Sequence, residues 1–390
     1  MFSDSHYFRE FKQIELKKAK SIAVIDHVGV KGGMHEYSLG LLEALAEKGV
    51  KTYYLSNLPN SSSYKSNIKK VFSSKMHKNV SGFLSLLNAL AVSVLFLRKK
   101  KVKWVVFHLF ESTFLIVSML AFIRLWGFKV IGIVHDVEGF DHDSEVRGLQ
   151  SFIYRKLLFK VVVHNAFSKR LLLQNAPFLN EEKVMIARHG NFHLNTNSKM
   201  NRFQAAQFLG LDSNFRYVLF FGQIKTVKGL DLLLEAFPNN MPQLKLIVAG
   251  RPWKDDFSTY KTIIEKRKLQ PQFVPMIRYI KEEERQALFA LAELIVLPYR
   301  KIFQSGVLLH AVNNLLAVVA SDLEANVENL AHGEGGFLFK SEDVLSLKNT
   351  IVDALESKEE REEKARLAFE FINKEYDWRT ISKAYLQLIE

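Results

Sequence analysis

The stretch VLFFGQIKTVKGLDLLLEAF, residues 218–237, decides the fold. Its apolar start is typical of a buried strand in a parallel sheet, and a polar loop from Gly222 leads to a helical pattern that begins at Gly229. The loop carries Lys225 and Lys228. Because a helix N-terminus presents unpaired N–H groups and a positive dipole end, two lysines beside one favour the binding of phosphate oxygens. An ordinary solvated turn of an α/β domain would show the same local pattern, and that alternative stays open at this point.

Strand and helix patterns alternate on both sides of this stretch. The predicted strands cover residues 22–26, 51–56, 104–110, 129–134, 160–164 and 184–189, and then 217–221, 245–250, 273–276, 294–298, 317–321 and 337–339. Such alternation predicts parallel sheets, so the fold class is α/β with two consecutive Rossmann-like halves. Residues 57–70, which are rich in Ser, Asn and Lys, are predicted to form a loop.

The length of 390 residues also indicates two domains, because one ordinary core does not grow to this size. The sequence predicts a first domain over residues 1–195, a linker over 196–216 and a second domain over 217–374. The linker is placed where the strand pattern is lost and the chain becomes polar. The helical tail 375–390 is amphipathic and could pack back on the first domain.

The composition limits the classes of partner. A net charge of +13 calls for an anionic one: a nucleic acid, a membrane surface or a phosphorylated substrate. A nucleic-acid-binding module would show clustered basic and aromatic residues in a recognisable pattern, and none is visible. With no cysteine in the chain, disulfide scaffolds, cysteine zinc sites and thiol catalysis are excluded.

An apolar segment followed by basic residues indicates a membrane surface. Residues 80–97 carry no charge and approach the length of a membrane span, and Arg98 to Lys103 include five basic residues. Polar residues interrupt the segment and a strand pattern follows at once, which favours a mostly buried or interfacial helix over a transmembrane one. The N-terminal residues do not resemble a secretory signal, so the expected location is the cytosolic face of the membrane.

Two single sites were open to more than one interpretation. His135 follows a predicted strand and precedes Asp136, at the edge where parallel sheets bind ligands, so it is either functional or a structural core histidine. Asp141 and Asp143 could form a metal-binding pair, although loops often contain such pairs.

Taken together, the motifs resemble a GT-B glycosyltransferase of the retaining glycosyltransferase family 4, from Ser21 to the end of the chain. The matching pieces, in order, are VGVKGGMHEYSLGLL, IVHD, VVVHNAFSKRLL, ARHGN, FGQIKTVKGLDLLLEAF, LIVAG, LPYRKIFQSGVLLHAV, VVASDLEANVENL, HGEGGFLF and YDW. The resemblance implies two Rossmann-like domains that face each other across a cleft. It also implies a nucleotide-sugar donor on the second domain and an acceptor bound mainly by the first.

The resemblance assigns roles residue by residue. Lys228 would hold the donor diphosphate, His135 would lie near the donor sugar, and Gly32 and Gly33 would let the first domain approach the diphosphate. The other implied donor-binding residues are Gly222, Gln223, Lys225, Gln304, Ser305, Gly306, Val307, His310 and Glu328. No cofactor and no metal ion are implied, because cations and N–H groups stabilise the leaving diphosphate.

Several positions depart from the family pattern. Gln223 stands where an arginine is common, with Lys225 near enough to substitute for it. The two glutamates of the E-x7-E motif would fall at Ile302 and His310, so the segment resembles a variant that contains Gln-Ser-Gly. The implied function is transfer of a sugar to a lipid-linked or oligosaccharide acceptor in cell-envelope or exopolysaccharide assembly. The alternative is a GT-B protein that has lost catalysis and serves as a subunit of another transferase.

Overall fold

The computed structural model describes residues 20–389 apart from 28, 30–33, 60–63, 74–79, 111, 138–146, 192–199 and 254–256. The described chain divides into two compact units. Unit 1 takes residues 20–164, 169–190 and 378–389, and unit 2 takes 165–168 and the residues from Asn191 to Asp377.

Unit 1 is built on a seven-stranded sheet whose pairings are all parallel, in the order β3-β2-β1-β4-β5-β6-β7. The strands are β1 Ser21–Ile25, β2 Lys51–Ser56, β3 Asn67–Lys70, β4 Trp104–Leu109, β5 Lys129–Val134, β6 Lys160–Val163 and β7 Val184–Ile186. Buried residues follow one another along β1 and β4, as expected for strands that are covered on both faces. The strand order reverses between β1 and β4, which is where ligands of such sheets bind.

The helices of unit 1 follow the strands in alternation. They are α1 Met34–Glu47, α2 Val80–Lys99, α3 Phe114–Leu125, α4 Arg147–Phe152, most of α5 Ala166–Asn175 and, at the end of the chain, α14 Trp378–Ile389. A π-helical turn, Ile153–Leu157, continues α4. Helix α14 packs against α1, where Trp378 meets Tyr37 edge-on at a ring distance of 4.9 Å and Tyr385 shares a hydroxyl hydrogen bond of 3.0 Å with Tyr37.

Unit 2 repeats the architecture with a six-stranded parallel sheet in the order β10-β9-β8-β11-β12-β13. Its strands are β8 Arg216–Phe221, β9 Leu244–Ala249, β10 Phe273–Met276, β11 Leu294–Leu297, β12 Ala317–Ser321 and β13 Phe337–Phe339. Its helices are α6 Arg202–Leu209, α7 Leu230–Ala236, α8 Ser258–Lys266, α9 Glu282–Leu291, α10 Gly306–Asn313, α11 Glu324–Asn329, α12 Val344–Glu356 and α13 Lys358–Glu375. The prediction of two α/β halves with parallel sheets is confirmed.

Two local predictions differ from the structure. Residues 67–70, predicted as loop, form the edge strand β3; its sequence NIKK has little apolar character, because an edge strand is held by backbone pairing with β2 and not by burial. The expected linker 196–216 contains helix α6, which begins with an Asn201–Gln204 capping box and packs on α9. The described part of this segment therefore belongs to unit 2, and the division between the units falls at Gly190 and not at residue 195.

The apolar segment 80–97 is a helix, α2, of which only a third of the window Gly82–Lys99 is buried. It is the one helix in the described chain that is long and apolar enough to cross a membrane, judged by length and composition only. Of the two forms expected, mostly buried or interfacial, the first does not fit α2, because its two faces differ in burial, and the second stays a prediction. Leu86, Leu90 and Leu97 are buried, whereas Leu84 and Leu95 are more than half exposed.

Candidate functional site

The polar loop that follows β8 holds its two lysines over aromatic rings. The Nζ atom of Lys228 lies 3.7 Å from the ring centre of Tyr299, and that of Lys225 lies 4.7 Å from the ring centre of Trp253. A cation over a ring face is stabilised by the negative face of the aromatic quadrupole. Both ammonium groups are thus held over aromatic rings at the carboxyl end of the sheet, where they place positive charge.

The segment that follows β11 holds the loop after β8 in place through hydrogen bonds from Arg300. The backbone N–H of Arg300 donates to the Val227 carbonyl at 2.9 Å, and its guanidinium donates to the Thr226 carbonyl at 2.9 Å. The same guanidinium forms a bidentate pair with Asp231 at 2.8 and 2.7 Å. These bonds fix the short 3-10 turn Thr226–Lys228, and with it the direction in which Lys228 leaves the backbone.

Two glycines permit the close backbone approach that this loop requires. Gly229 has φ +67°, and a Cβ atom there would lie 1.9 Å from the carbonyl oxygen of Pro298. Gly250, at the end of β9, has φ +153°, and its Cβ would lie 1.7 Å from the carbonyl oxygen of Gly222. Only a residue without a side chain fits either place. The loop after β8 is therefore pressed against the ends of both neighbouring strands, β9 and β11.

The Gln-Ser-Gly turn lies at the same edge, since β11 is the neighbour of β8. Ser305 is the N-cap of α10: its Oγ accepts the N–H of Leu308 at 3.2 Å and also lies 3.5 Å from the Tyr299 hydroxyl. Tyr299 therefore connects the Lys228 ammonium to the start of α10. Among the described residues, no acceptor takes the N–H groups of Gly306 and Val307, as is usual for the first turn of a helix.

The remaining predicted donor-binding residues of unit 2 are placed as follows. Gln304 is half-buried, and its Nε2 atom has no hydrogen-bond partner among the described residues. Gln223 is half-buried in the loop after β8, and Glu328 is half-buried in α11, which follows β12 at the same edge. The structure thus brings six of these residues to adjacent strand ends: Gly222, Lys225, Lys228, Ser305, Gly306 and Val307. A Cβ atom at Gly222 would lie 3.4 Å from Cγ2 of Val307.

His310 lies further along α10 and is held by a cation. Its Nε2 accepts a hydrogen bond of 2.8 Å from Arg285, which also pairs with Glu282 at 2.6 Å. Burial, and then the charge of Arg285, lower the pKa of His310 to about 3. The imidazole is therefore neutral at neutral pH and offers no negative charge, unlike the glutamate that the family pattern would place there.

In unit 1, His135 lies directly after β5 and is 8% exposed. Both of its ring nitrogens are engaged by other histidines, Nε2 with His108 at 2.9 Å and Nδ1 with His164 at 3.2 Å. Its ring also stacks on Phe110, with ring centres 4.7 Å apart. Burial, followed by the neighbouring histidines, holds the pKa of His135 well below its ordinary value. The side chain is thus a buried, neutral member of a larger group.

The loop after β1 begins at a buried carboxylate. Asp26 is 1% exposed; it accepts the N–H of Gly29 at 2.7 Å and the hydroxyl of Tyr54 at 2.8 Å. Gly32 and Gly33, predicted to approach the diphosphate, and the pair Asp141 and Asp143 lie outside the described residues. Within the described ranges, no group of three or more acidic or histidine side chains has the arrangement of a metal site.

The comparisons with known proteins identify part of the chain. Residues 201–369, nearly all of unit 2, match the family described as "Glycosyl transferases group 1". This part of the chain is similar to members of that family, and it makes up less than half of the 390 residues. In the whole fold, the chain is similar to solved GT-B structures. They include a sucrose-phosphate synthase from Thermosynechococcus elongatus (TM-score 0.74, 17% identity, covering 95% of this chain and 98% of that one). Another is Anabaena HepE in complex with UDP (TM-score 0.72, 17% identity, 95% and 99%).

Two curated proteins are similar to parts of the chain. One is a spore coat protein SA from Bacillus subtilis (24% identity over 195 residues, 47% of this chain and 50% of that protein). The other is a GDP-mannose:glycolipid 4-beta-D-mannosyltransferase from Xanthomonas campestris pv. campestris (28% over 124 residues, 31% and 35%). The chain spans half or less of the length of these two relatives. As the sequence indicated, the chain has the GT-B fold, and residues 201–369 are similar to glycosyl transferases group 1.

Several residues of the site were missed in the sequence. Tyr299 and Arg300, which hold the loop, stand immediately after a predicted strand, and that position was the available signal. His108 and His164 also stand at strand ends, yet only His135 was singled out. The register of the sheet, which brings the three together, was needed to see them as a group.

Proposed function

We propose that this protein is a glycosyltransferase that transfers a sugar from a nucleotide-diphosphate donor to a lipid-linked or oligosaccharide acceptor, with retention of the anomeric configuration. The observation that carries the proposal is the pair of lysines, Lys225 and Lys228, held on aromatic rings beside the first turn of α10. This arrangement suits the two phosphates of a nucleotide sugar. Relatives support the substrate class: one is named for GDP-mannose and a glycolipid, and another binds UDP.

In sugar transfer, the two lysines would stabilise the leaving diphosphate. As the bond between sugar and phosphate breaks, negative charge grows on the leaving diphosphate, and a preorganised cation stabilises the transition state more than the ground state. Lys228 supplies this charge, with Lys225 in place of the arginine missing at Gln223. The leaving phosphate oxygen helps to remove the proton from the acceptor hydroxyl on the same face of the sugar. Neither a metal ion nor a pair of carboxylates is needed, so activity should persist in EDTA.

Donor binding and turnover test the proposal with one pair of variants. UDP-, GDP- and ADP-sugars are screened by thermal shift, and one should stabilise the protein. Lys228→Ala should abolish this shift and lower turnover by roughly 100-fold or more, the usual cost of one transition-state donor. Lys245→Ala is the control, because Lys245 also lies over a ring, 4.0 Å from Phe215, but at the opposite end of its strand. Equal behaviour of the two variants would reject the phosphate site.

A protein that binds no nucleotide sugar would instead fit the alternative of a catalytically inactive subunit. The specific observation in its favour is His310, neutral and held by Arg285, where the family pattern has a carboxylate. That outcome would show as the absence of a thermal shift with every donor, together with activation of another transferase on mixing.

We infer further that α2 attaches the protein to the cytosolic face of a membrane. One side of α2 exposes Phe83, Leu84, Leu87, Val92 and Leu95, by 38% to 59%, although each is apolar. The helix ends in Arg98 and Lys99, followed by three more lysines up to Lys103. Apolar contacts with the acyl boundary and basic contacts with anionic headgroups reinforce one another on such a helix.

Vesicle co-sedimentation distinguishes this attachment from nonspecific adhesion. The protein should bind vesicles of anionic phospholipid, bind vesicles of zwitterionic lipid weakly, and dissociate as the salt concentration rises. Leu84→Glu should reduce binding, whereas Leu345→Glu, at a residue of similar exposure on α12 (65% against 59%), should not. Retention at high salt would indicate insertion of α2, and equal loss in both variants would reject α2 as the contact.

A further inference from the structure

Four histidines stand side by side at the carboxyl edge of the sheet of unit 1. His108 is in β4, and His135, His164 and His189 follow β5, β6 and β7, which are consecutive neighbours in the sheet. All four are buried, with exposures between 2% and 8%. The ring of Tyr37 in α1 contacts each of them, at centre distances between 5.0 and 5.9 Å. They form one polar cluster within the buried part of unit 1.

Three of the histidines form a continuous chain of hydrogen bonds, here called the imidazole chain. Ser38 Oγ is 2.9 Å from His108 Nε2, and His108 Nδ1 is 2.9 Å from His135 Nε2. His135 Nδ1 is 3.2 Å from His164 Nε2, and His164 Nδ1 is 3.0 Å from the carbonyl oxygen of Ala187. The chain runs from helix α1 across β4, β5 and β6 to the end of β7.

The last acceptor determines where every hydrogen lies. A backbone carbonyl can only accept, so Nδ1 of His164 must carry a hydrogen. In a neutral ring Nε2 of His164 is then an acceptor, and Nδ1 of His135 donates to it. Because neutral His135 then carries its hydrogen on Nδ1, its Nε2 accepts, and Nδ1 of His108 donates to it. Nε2 of His108 is left as an acceptor for the Ser38 hydroxyl. All three rings therefore take the same tautomer.

A single added proton would reverse this order. With the added proton on His164, which keeps its Nδ1–H toward Ala187, the hydrogens of His135 and His108 would move from Nδ1 to Nε2, and His108 would then donate to Ser38 Oγ. Burial opposes that state: it is the main cause that lowers the pKa of His108, His135 and, to about 4, His164. The nearby carboxylate of Asp26 raises the pKa of His108, but less than burial lowers it. The fourth histidine, His189, lowers the pKa of His135 further.

We propose that His108 and His164 are positioning residues that hold His135 neutral with its hydrogen on Nδ1, so that His135 supports the reaction by its orientation and not by proton transfer. This rests on the transferase function proposed above. His135 could accept a proton at Nε2 only if the hydrogen of His108 moved from Nδ1 to Nε2, and burial opposes the charged state that would result, so His135 does not serve as a base. The loops after β4, β5 and β6 are thereby tied together at the edge where the substrate would bind.

The tautomers can be read directly, without any substrate. Long-range ¹H–¹⁵N correlation spectra of protein labelled at histidine should show, at pH 7, protonated Nδ1 and bare Nε2 in His108, His135 and His164. An Nε2–H tautomer or an imidazolium at His135 would overturn the proposal. His164→Gln should preserve the His135 signal, since the amide oxygen can accept from Nδ1, whereas His164→Leu should change it. His189→Gln is the matched control, because His189 Nδ1 faces the Gly190 carbonyl and not another imidazole.

Kinetics then test the positioning role. His164→Leu should lower kcat by roughly 10- to 100-fold, the cost of a misplaced catalytic geometry, and leave the donor KM within about twofold. His164→Gln should recover most of the loss, and the shape of the pH–rate profile should be the same in both. Unchanged kcat in His164→Leu, or a profile that gains or loses an ionisation, would overturn the proposal. If no donor supports turnover at all, the transferase function fails, while the spectra still decide the tautomer.

Discussion

The loop after β8 and the imidazole chain lie at corresponding edges of two similar sheets, yet they treat charge in opposite ways. The loop places two ammonium groups over aromatic rings. The chain keeps three imidazoles neutral by burying them and passing each hydrogen bond to the next ring. Each edge includes the point where the strand order reverses, between β1 and β4 in unit 1 and between β8 and β11 in unit 2. Topology therefore sets the position of each site, and the local side chains decide what it can bind.

The loop after β8 and the imidazole chain depend on their surroundings in different ways. The loop depends on steric closeness, because glycine at two positions lets carbonyl groups approach it and Arg300 ties down its turn. The imidazole chain depends on hydrogen bonding, because any of its buried ring nitrogens that lost its partner would destabilise the folded state. Disturbing the first should therefore displace a backbone, and disturbing the second should change a protonation state.

The largest loss of unfolding free energy is expected from a substitution at Gly229. Gly229→Ala adds a methyl group that overlaps the Pro298 carbonyl, on a backbone with φ +67°. Gly210→Ala is a matched control, since Gly210 has the same φ of +67° but nothing within 4 Å of its Cβ position. Both should lose about 1–2 kcal/mol of unfolding free energy from the left-handed backbone. Gly229→Ala should lose about 1–3 kcal/mol more from the overlap.

Urea unfolding and the donor thermal shift would measure this pair. Only Gly229→Ala should also weaken donor binding, because only there does the loop that carries Lys228 have to move. If the two variants lost equal stability, the loop would not be held by steric closeness, and the contrast with the imidazole chain would break down.

The next largest effect is expected in the pH dependence of the free energy of unfolding. In the unfolded chain a histidine binds a proton near pH 6.5, whereas folded His164 does so only near pH 4. Between these values the unfolded state binds more protons, so the free energy of unfolding falls as the pH drops through this window. The contribution of His164 is complete above about pH 6.5 and amounts to roughly 3 kcal/mol.

Urea titrations from pH 7.5 to 4 check this expectation. His164→Gln should be less sensitive to pH in the window, while the exposed His332→Gln should match the unchanged protein. Carboxylates contribute at lower pH: hydrogen bonding from Arg278 lowers the pKa of Glu284 to about 2. A pH dependence that His164→Gln leaves unaltered would place the buried neutral state elsewhere than in the imidazole chain.

The same contrast explains what could be predicted from the sequence. The loop was visible because its strand, its lysines and its helix are contiguous from residue 218 to 237, and the two α/β halves were visible because strand patterns are local. The imidazole chain was not, because His108 and His164 are 56 positions apart and only the pairing of β4, β5 and β6 brings them to His135. Edge strand β3 and helix α6 were missed since their stability comes from neighbours more than from apolar patterning.

The smallest effect is expected from breaking the Arg300–Asp231 ion pair that holds the loop. This variant tests whether that pair differs from an ordinary surface ion pair. Asp231→Asn leaves one acceptor oxygen and turns an amide N–H₂ toward the Arg300 guanidinium, which is partly buried and also holds the Thr226 carbonyl. We expect a loss of about 1 kcal/mol in unfolding free energy. We also expect a donor dissociation constant that rises a few-fold, because the turn next to Lys228 loosens.

Glu363→Gln is the control for that variant. Glu363 also forms a bidentate pair, with Arg366 in α13, but both side chains are about half exposed. Water and salt screen such a pair, so its loss should have no measurable effect on stability or on donor binding. If Asp231→Asn were equally silent, Arg300 would hold the loop through its backbone N–H and the Thr226 carbonyl alone. The contrast would then be sharper: the loop would depend only on hydrogen bonds to its own backbone carbonyls, and the imidazole chain on hydrogen bonds between side chains.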